Sequence, residues 1–430
     1  MHSAHRLPLG GVRSTSKFTV CAVAFILSLV RVSAVYAIEE LVTEADIADL
    51  LIQPARHHAE SEQAEKREWA ILPQLGYGPD TGPVVGVKFT HRDVFDTGMT
   101  FDVDATYAVL NQQQSSGVKL MQPHLADDRF LFTIYGKYRF DPQREFFGLG
   151  NNDRGPAPAS THAYQDYFGV LAFGWRPMPR LALNFSVALR QVDIRRGHRR
   201  TDCAGFVPCP FTLEEFPNMP GVQSGSTNPL SVSLVYNGRD NIVRPTQGWR
   251  LLLKASHTNK ALLSDFEFTR VVGDVGYLQP FFDRRLVTGL RVDGEWMDGP
   301  SGRVPFWELP DLGGSDSLRG FFPHRFVGKK RLLVNLELRG LLTEFDFYSL
   351  WHVKLDGVVF GETGRVFIDR SDVANEFHAA RPDIHLVSHL QYSYGGGLRI
   401  ELSEALVARL DLGFSDEEKG LFYFTFGQTF

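Results

Sequence analysis

Leu286-Val287-Thr288-Gly289-Leu290-Arg291-Val292-Asp293-Gly294-Glu295-Trp296 alternates along its whole length. Leu286, Thr288, Leu290, Val292 and Trp296 fall on one face; Gly289, Arg291, Asp293 and Glu295 fall on the other. A period of two belongs to extended backbone, in which successive side chains point to opposite sides. The run 331–341 repeats it, with Leu332, Val334, Leu336 and Leu338 against Asn335, Glu337 and Arg339. The run 405–414 sets Leu406, Ala408, Leu410, Leu412 and Phe414 against Arg409, Asp411 and Gly413. A soluble sandwich also alternates, burying its apolar face and exposing the polar one. Here many strands alternate over about ten residues and their polar faces carry both signs of charge, the pattern of a hydrated lumen with lipid outside.

Carried along the chain, the alternation predicts an all-β fold: a 16-stranded antiparallel transmembrane β-barrel. Its strands are expected near 69–78, 82–93, 98–111, 114–125, 129–141, 162–175, 179–193, 229–237, 248–258, 265–280, 284–298, 331–343, 349–360, 391–402, 405–414 and 420–430. An even count returns both ends to the periplasmic side. The four long gaps, 142–161, 194–228, 299–330 and 361–390, then all fall on the outer side. That asymmetry is typical of outer-membrane barrels.

Composition agrees. The chain has 430 residues, net charge −5, 12% aromatics and 34 Phe. Nothing in this balance calls for nucleic acid, and alternate apolar residues with aromatic girdles suit a barrel. Residues 1–37 read as a cleavable signal peptide: Arg6, Arg13 and Lys17 precede the uncharged run 19–30, and Ala37 offers a small residue for cleavage, with Ala34 next. The competing reading, an uncleaved anchor, meets a run short of the roughly 20 residues a spanning helix needs, closed by Arg31. Residues 38–68 read as a short periplasmic lead-in, partly helical or disordered, before a barrel over 69–430. Cys21 lies in the signal. Cys203 and Cys209, close together in a Pro/Gly-rich stretch, are expected to pair in an oxidising compartment; free thiols are the alternative. His57-His58 has no partner ligands at metal spacing, so neither metal nor cofactor is expected. Lys329-Lys330-Arg331 reads as a loop rim facing lipid headgroups.

The tail Phe422-Tyr423-Phe424-Thr425-Phe426-Gly427-Gln428-Thr429-Phe430 resembles the C-terminal targeting signal of outer-membrane barrels. The long gap before the twelfth strand holds Gly313-Gly314-Ser315-Asp316-Ser317-Leu318-Arg319-Gly320-Phe321. It resembles the Arg-Gly-Phe loop of the BamA/TamA superfamily (bacterial surface antigen family). Further pieces match in order: 69–73 with 77–82, Phe146-Phe147-Gly148-Leu149-Gly150-Asn151, and Asp240-Asn241 with Pro245 and Gly248-Trp249. The resemblance spans 69–430 and implies a member without POTRA modules. It further implies that the loop folds into the lumen and that Arg319 is held by the inner wall. Gly313, Gly314, Gly320 and Phe321 would shape the loop, and the matching wall segment is Phe360-Gly361-Glu362-Thr363-Gly364. Phe360, Glu362 and Gly364 then face the loop, Glu362 standing where the family commonly has Asp. Glu337 is a second acidic partner. Ser315 and Asp316 read as turn formers.

The resemblance implies a cell outer membrane protein that assists insertion or translocation of proteins. Its partners would be outer-membrane lipid, a client or periplasmic protein, and the barrel assembly machinery for its own insertion. A passive channel that keeps the fold without the activity is the alternative. A hydrolase is a third class, but no motif such as Gly-x-Ser-x-Gly organises a nucleophile, so no enzyme is expected.

Overall fold

The computed structural model describes residues 69–151, 158–198, 208–241, 243–299, 304–347, 351–368, 389–402 and 406–426. The signal peptide, the lead-in, His57-His58, Cys203 and Phe430 lie outside these. Sixteen spanning strands close into an antiparallel barrel. They are β1 Trp69–Gly78, β2 Gly82–Val94, β3 Met99–Ala108, β4 Gln114–Leu125, β5 Phe130–Phe146, β6 Ser160–Met178, β7 Leu181–Arg195 and β8 Pro229–Asn237. The second half is β9 Gly248–Thr258, β10 Phe268–Phe281, β11 Leu286–Asp298, β12 Lys330–Phe347, β13 Trp351–Phe367, β14 Gln391–Leu402, β15 Leu406–Phe414 and β16 Leu421–Phe426. β5 and β13 run several residues past their expected ends on the outer side, and β6 and β12 chiefly on the periplasmic side.

Each strand turns its apolar residues outward. Leu290, Val292, Leu336 and Leu412 are exposed, while Asp293, Glu337 and Asp411, one position away, are buried. Exposed aromatics mark both rims: Trp69, Trp175 and Trp249 near the mouth at which the chain enters, and Tyr77, Tyr107, Trp296, Tyr392 and Phe422 near the other. Inside, opposite charges on neighbouring strands cancel: Lys119 meets Asp102 at 3.0 Å, Arg291 meets Asp274 at 2.6 Å, and Arg331 meets Asp293 at 2.8 Å. That last pair corrects the reading of Lys329-Lys330-Arg331 as a headgroup rim. Arg331 faces the lumen and Lys329 is buried, because their strand starts below the dome of outer connections rather than at its edge.

The dome closes the outer mouth. Phe146, Leu149, Tyr164, Phe216, Met219 and Trp307 pack into one cluster drawn from three outer connections and their flanking strands. The segment Phe146–Asn151, prominent in the sequence, anchors it. Gly150 N–H donates to Val327 O at 2.7 Å, and Asn151 bridges both ways to the backbone of Val366 at 2.9 and 3.1 Å. The barrel is joined between its first and last strands at one paired position among the described residues, Tyr77 opposite Phe424. β1 pairs with β2 from Trp69 to Gly78.

Candidate functional site: a loop locked into the lumen

Register builds the receiving wall. Across β12, β13, β14 and β15, Glu337, Phe360, Gly395 and Gly413 lie in one row. Asn335, Glu362 and Ser393 lie in the row on the outer side. All of these face inward. The paired glycines leave a shallow bay beside the Phe360 ring. A Cβ on Gly395 would stand 2.5 Å from that ring, and one on Gly413 would stand 2.2 Å from the carbonyl oxygen of Arg319.

The connection between β11 and β12 drops into this bay. Gly313 and Gly314 adopt φ of 117° and 94°, conformations open to glycine. Gly320 runs against the wall so closely that its Cβ would lie 2.2 Å from Phe414 O. Leu312, Leu318, Phe321 and Phe326 form a small core with Leu333 and Val366 of the wall. Each fully buried side chain of this kind contributes about 1.5–3 kcal/mol, which offsets the entropy of ordering the loop. Gly364 of the wall lies against this core, where a Cβ would meet Leu312 of the loop at 3.0 Å.

Arg319 is fully buried. Its backbone N–H and its Nε donate to the two oxygens of Glu362, each at 2.6 Å. Its Nη1 reaches Glu337 and Asp411, both at 3.3 Å. Its guanidinium carbon sits 3.4 Å from the centre of the Phe360 ring, within cation–π range. Burial alone would lower the Arg319 pKa, but Glu362, Glu337 and Asp411 outweigh it and raise the value, so the cation is held. Glu362 also accepts Ser393 Oγ at 2.6 Å and Asn335 Nδ2 at 3.1 Å, so both its oxygens are fully occupied.

The wall supplies its own counter-charges. Arg399 bonds Asp411 at 2.7 Å and Glu337 at 3.1 Å, and Arg409 bonds Asp411 at 2.9 Å. Arg319, Arg399 and Arg409 thus balance Glu337, Glu362 and Asp411 in a buried cluster. Arg409 also grips the loop through Asp316 at 3.1 Å and the carbonyl of Ser315. Asp316 is therefore an ion-pair partner as well as a turn former. Two more ties run to the end of the chain: Tyr423 on β16 donates to Phe321 O at 3.2 Å, and Arg325 pairs with Glu417 at 2.6 Å.

The sequence-predicted residues Gly313, Gly314, Arg319, Gly320, Phe321, Glu337, Phe360 and Glu362 meet at this one site. Asp411, Arg399, Arg409, Asn335 and Ser393 complete it. Alternation signals that Arg409 and Asp411 face the lumen, but not their height in it. Phe422, Phe424 and Phe426 lie on the outward face of β16, opposite inward Tyr423. Cys209 is buried among the outer connections; its pairing with Cys203 falls outside the described residues.

The Omp85 superfamily domain matches residues 93–430. The chain belongs to the Omp85 superfamily. Its fold is similar to BamA from Haemophilus ducreyi lacking POTRA domains 1–3, with a TM-score of 0.62 and 13% identity over 93% of this chain and 81% of that one. It is also similar to CdiB from Escherichia coli, with a TM-score of 0.54 and 11% identity over 83% of this chain and 63% of that one. CdiB from Acinetobacter baumannii aligns with a TM-score of 0.51 at 11% identity, over 84% of this chain and 60% of that one. The chain thus spans less than two thirds of either CdiB. A comparison with curated sequences finds no match. An Omp85 barrel of this build is a bacterial outer-membrane protein.

Proposed function

We propose that this Omp85 barrel assists the insertion or passage of proteins at the outer membrane, without enzymatic chemistry. It would take clients at its β1–β16 seam or from a separate periplasmic partner. The observation that supports this reading is the burial of the inner wall. Inward side chains are buried all round the wall, from Lys88 and Asp102 through Asn184, Lys254 and Asp274 to Asp411. A diffusion channel needs an open bore. Among the described residues the first and last strands meet at Tyr77 opposite Phe424, and a seam of this kind, when it opens, offers a strand edge to another strand. The loop lock ties β12–β16 together on one side of that seam.

The test is deletion of the gene in its native host with quantification of the outer-membrane proteome, complemented by wild type or Arg319→Ala. Selective loss of particular barrels or surface proteins, restored by wild type alone, is the expected result. An unchanged proteome, with conductance of the purified protein in planar bilayers, would establish the passive channel instead.

A further inference from the structure

Most described periplasmic connections are tight hairpins: 95–98, 126–129, 179–180 and 282–285. The connection 238–247 between β8 and β9 is longer than a hairpin requires, and its described residues are tied by hydrogen bonds on both sides. Asp240 accepts from Thr246 N–H at 2.8 Å, Thr246 Oγ1 at 2.5 Å and Gln247 N–H at 3.1 Å. Asn241 accepts from the N–H groups of Val243 and Arg244 at 2.7 and 2.9 Å. Gly248, with φ of 113°, lets the returning strand pass the carbonyl of Gly238, where a Cβ would stand 2.4 Å away. These are the residues of the Asp240-Asn241…Pro245…Gly248 stretch, which the loop lock does not use.

What this scaffold presents is Arg244. The connection itself carries Arg244 away from the β8–β9 corner, so that its side chain meets the wall at β13 and β14. Nε and Nη2 bond the two oxygens of Asp356 on β13, at 2.9 and 2.8 Å. Nε also lies 3.2 Å from Glu401 on β14. The next residue is tied as well: Arg339 Nη2 on β12 donates to Pro245 O at 3.1 Å. A surface turn does not need a bidentate pair with a carboxylate that is only 4% exposed.

We propose that 238–247 is a latch across the periplasmic mouth, with Arg244 as its bolt and Asp356 and Glu401 as its catch. The barrel is then closed twice, by the loop lock from outside and by this latch from the periplasm. The inference does not depend on what cargo the barrel handles. A periplasmic ligand or client would reach the lumen by displacing the latch, and an acidic segment that competes for Arg244 is the chemistry suited to do so.

The test uses the full chain, folded in detergent micelles, with Ser233→Cys as a reporter. Ser233 faces the lumen at mid-height of β8 and is 8% exposed. A bulky maleimide should label it slowly in the otherwise wild-type barrel. Arg244→Ala should raise the rate on the order of tenfold or more, since labelling follows the population of the open form. The exchanged pair Arg244→Asp with Asp356→Arg should restore protection. An unchanged rate in a folded Arg244→Ala barrel overturns the latch, and a faster rate that the exchanged pair leaves fast overturns this pairing as its basis. If Arg244→Ala does not fold, Arg244→Lys, which keeps the charge but loses the bidentate geometry, takes its place. It should label faster than wild type, and equal rates overturn the proposal.

Discussion

Glu362 accepts four donors on two oxygens, so its shape matters as much as its charge. Glu362→Gln keeps the shape but turns an acceptor into a donor facing Arg319 N–H or Ser393 Oγ. A charge-assisted hydrogen bond contributes about 1.5–3 kcal/mol, so the amide should lower the urea midpoint of the folded barrel by at least one such bond. Glu362→Asp retracts the carboxylate and should fall between Gln and wild type. If Gln unfolds at the wild-type midpoint, the four-donor picture is wrong. Arg319→Ala is the harsher change. It strands Glu362, Glu337 and Asp411 with an excess of buried negative charge, and breaking such a pair costs about 3–5 kcal/mol. Arg319→Lys should rescue little, because an ammonium cannot bond Glu362 through a planar fork while lying over Phe360. The measurement is the temperature at which the folded form changes mobility on a gel. Equal values for wild type and Ala would remove the lock.

Among the elements, the loop and the wall meet backbone to backbone, and glycine decides whether they can. Gly413→Ala would place a methyl 2.2 Å from Arg319 O, and Gly320→Ala would place one 2.2 Å from Phe414 O. Neither partner is a flexible side-chain tip, so the loop must lift. Each variant should expose the loop to protease at 304–329 while leaving the barrel folded; gels that show intact loops in both would refute the close approach. The last strand offers a separate test. Deleting Phe430 should reduce assembly into the outer membrane, measured as the heat-modifiable fraction in isolated membranes. Undiminished assembly would reject the tail as a targeting signal.

The same elements show what the sequence discloses. Alternation is local, so the count of strands, the inward sense of Glu337 and Asp411, and the outer placement of the long connections could all be read. Height in the lumen depends on the shear between strands, which no single strand encodes. Arg399, Arg409, Asn335 and Ser393 therefore stayed anonymous polar positions. Lys329-Lys330-Arg331 was misplaced for the same reason: its charges suggested a rim, while the dome sets its true depth. The turn 238–247 was visible as a motif, but its catch lies more than a hundred residues away at Asp356.

At the scale of the whole molecule, the outer lock and the periplasmic latch share a wall. Glu337 holds Arg319 and Arg399, and its other oxygen lies 3.6 Å from Arg339 Nε. Arg339 in turn donates to Pro245 O in the latch. Removing Arg319 leaves Glu337 short of positive charge, which pulls Arg339 toward it and away from Pro245. The two closures should then be coupled rather than independent. In the Ser233→Cys barrel, Arg319→Ala should speed labelling even though it alters no residue of the latch. Adding Arg244→Ala should speed it by less than the product of the two separate effects, since the first change has already loosened what the second removes. A double variant whose rate equals that product would make the closures independent. In that case a client that releases the loop could not thereby open the periplasmic mouth, and each would need its own trigger.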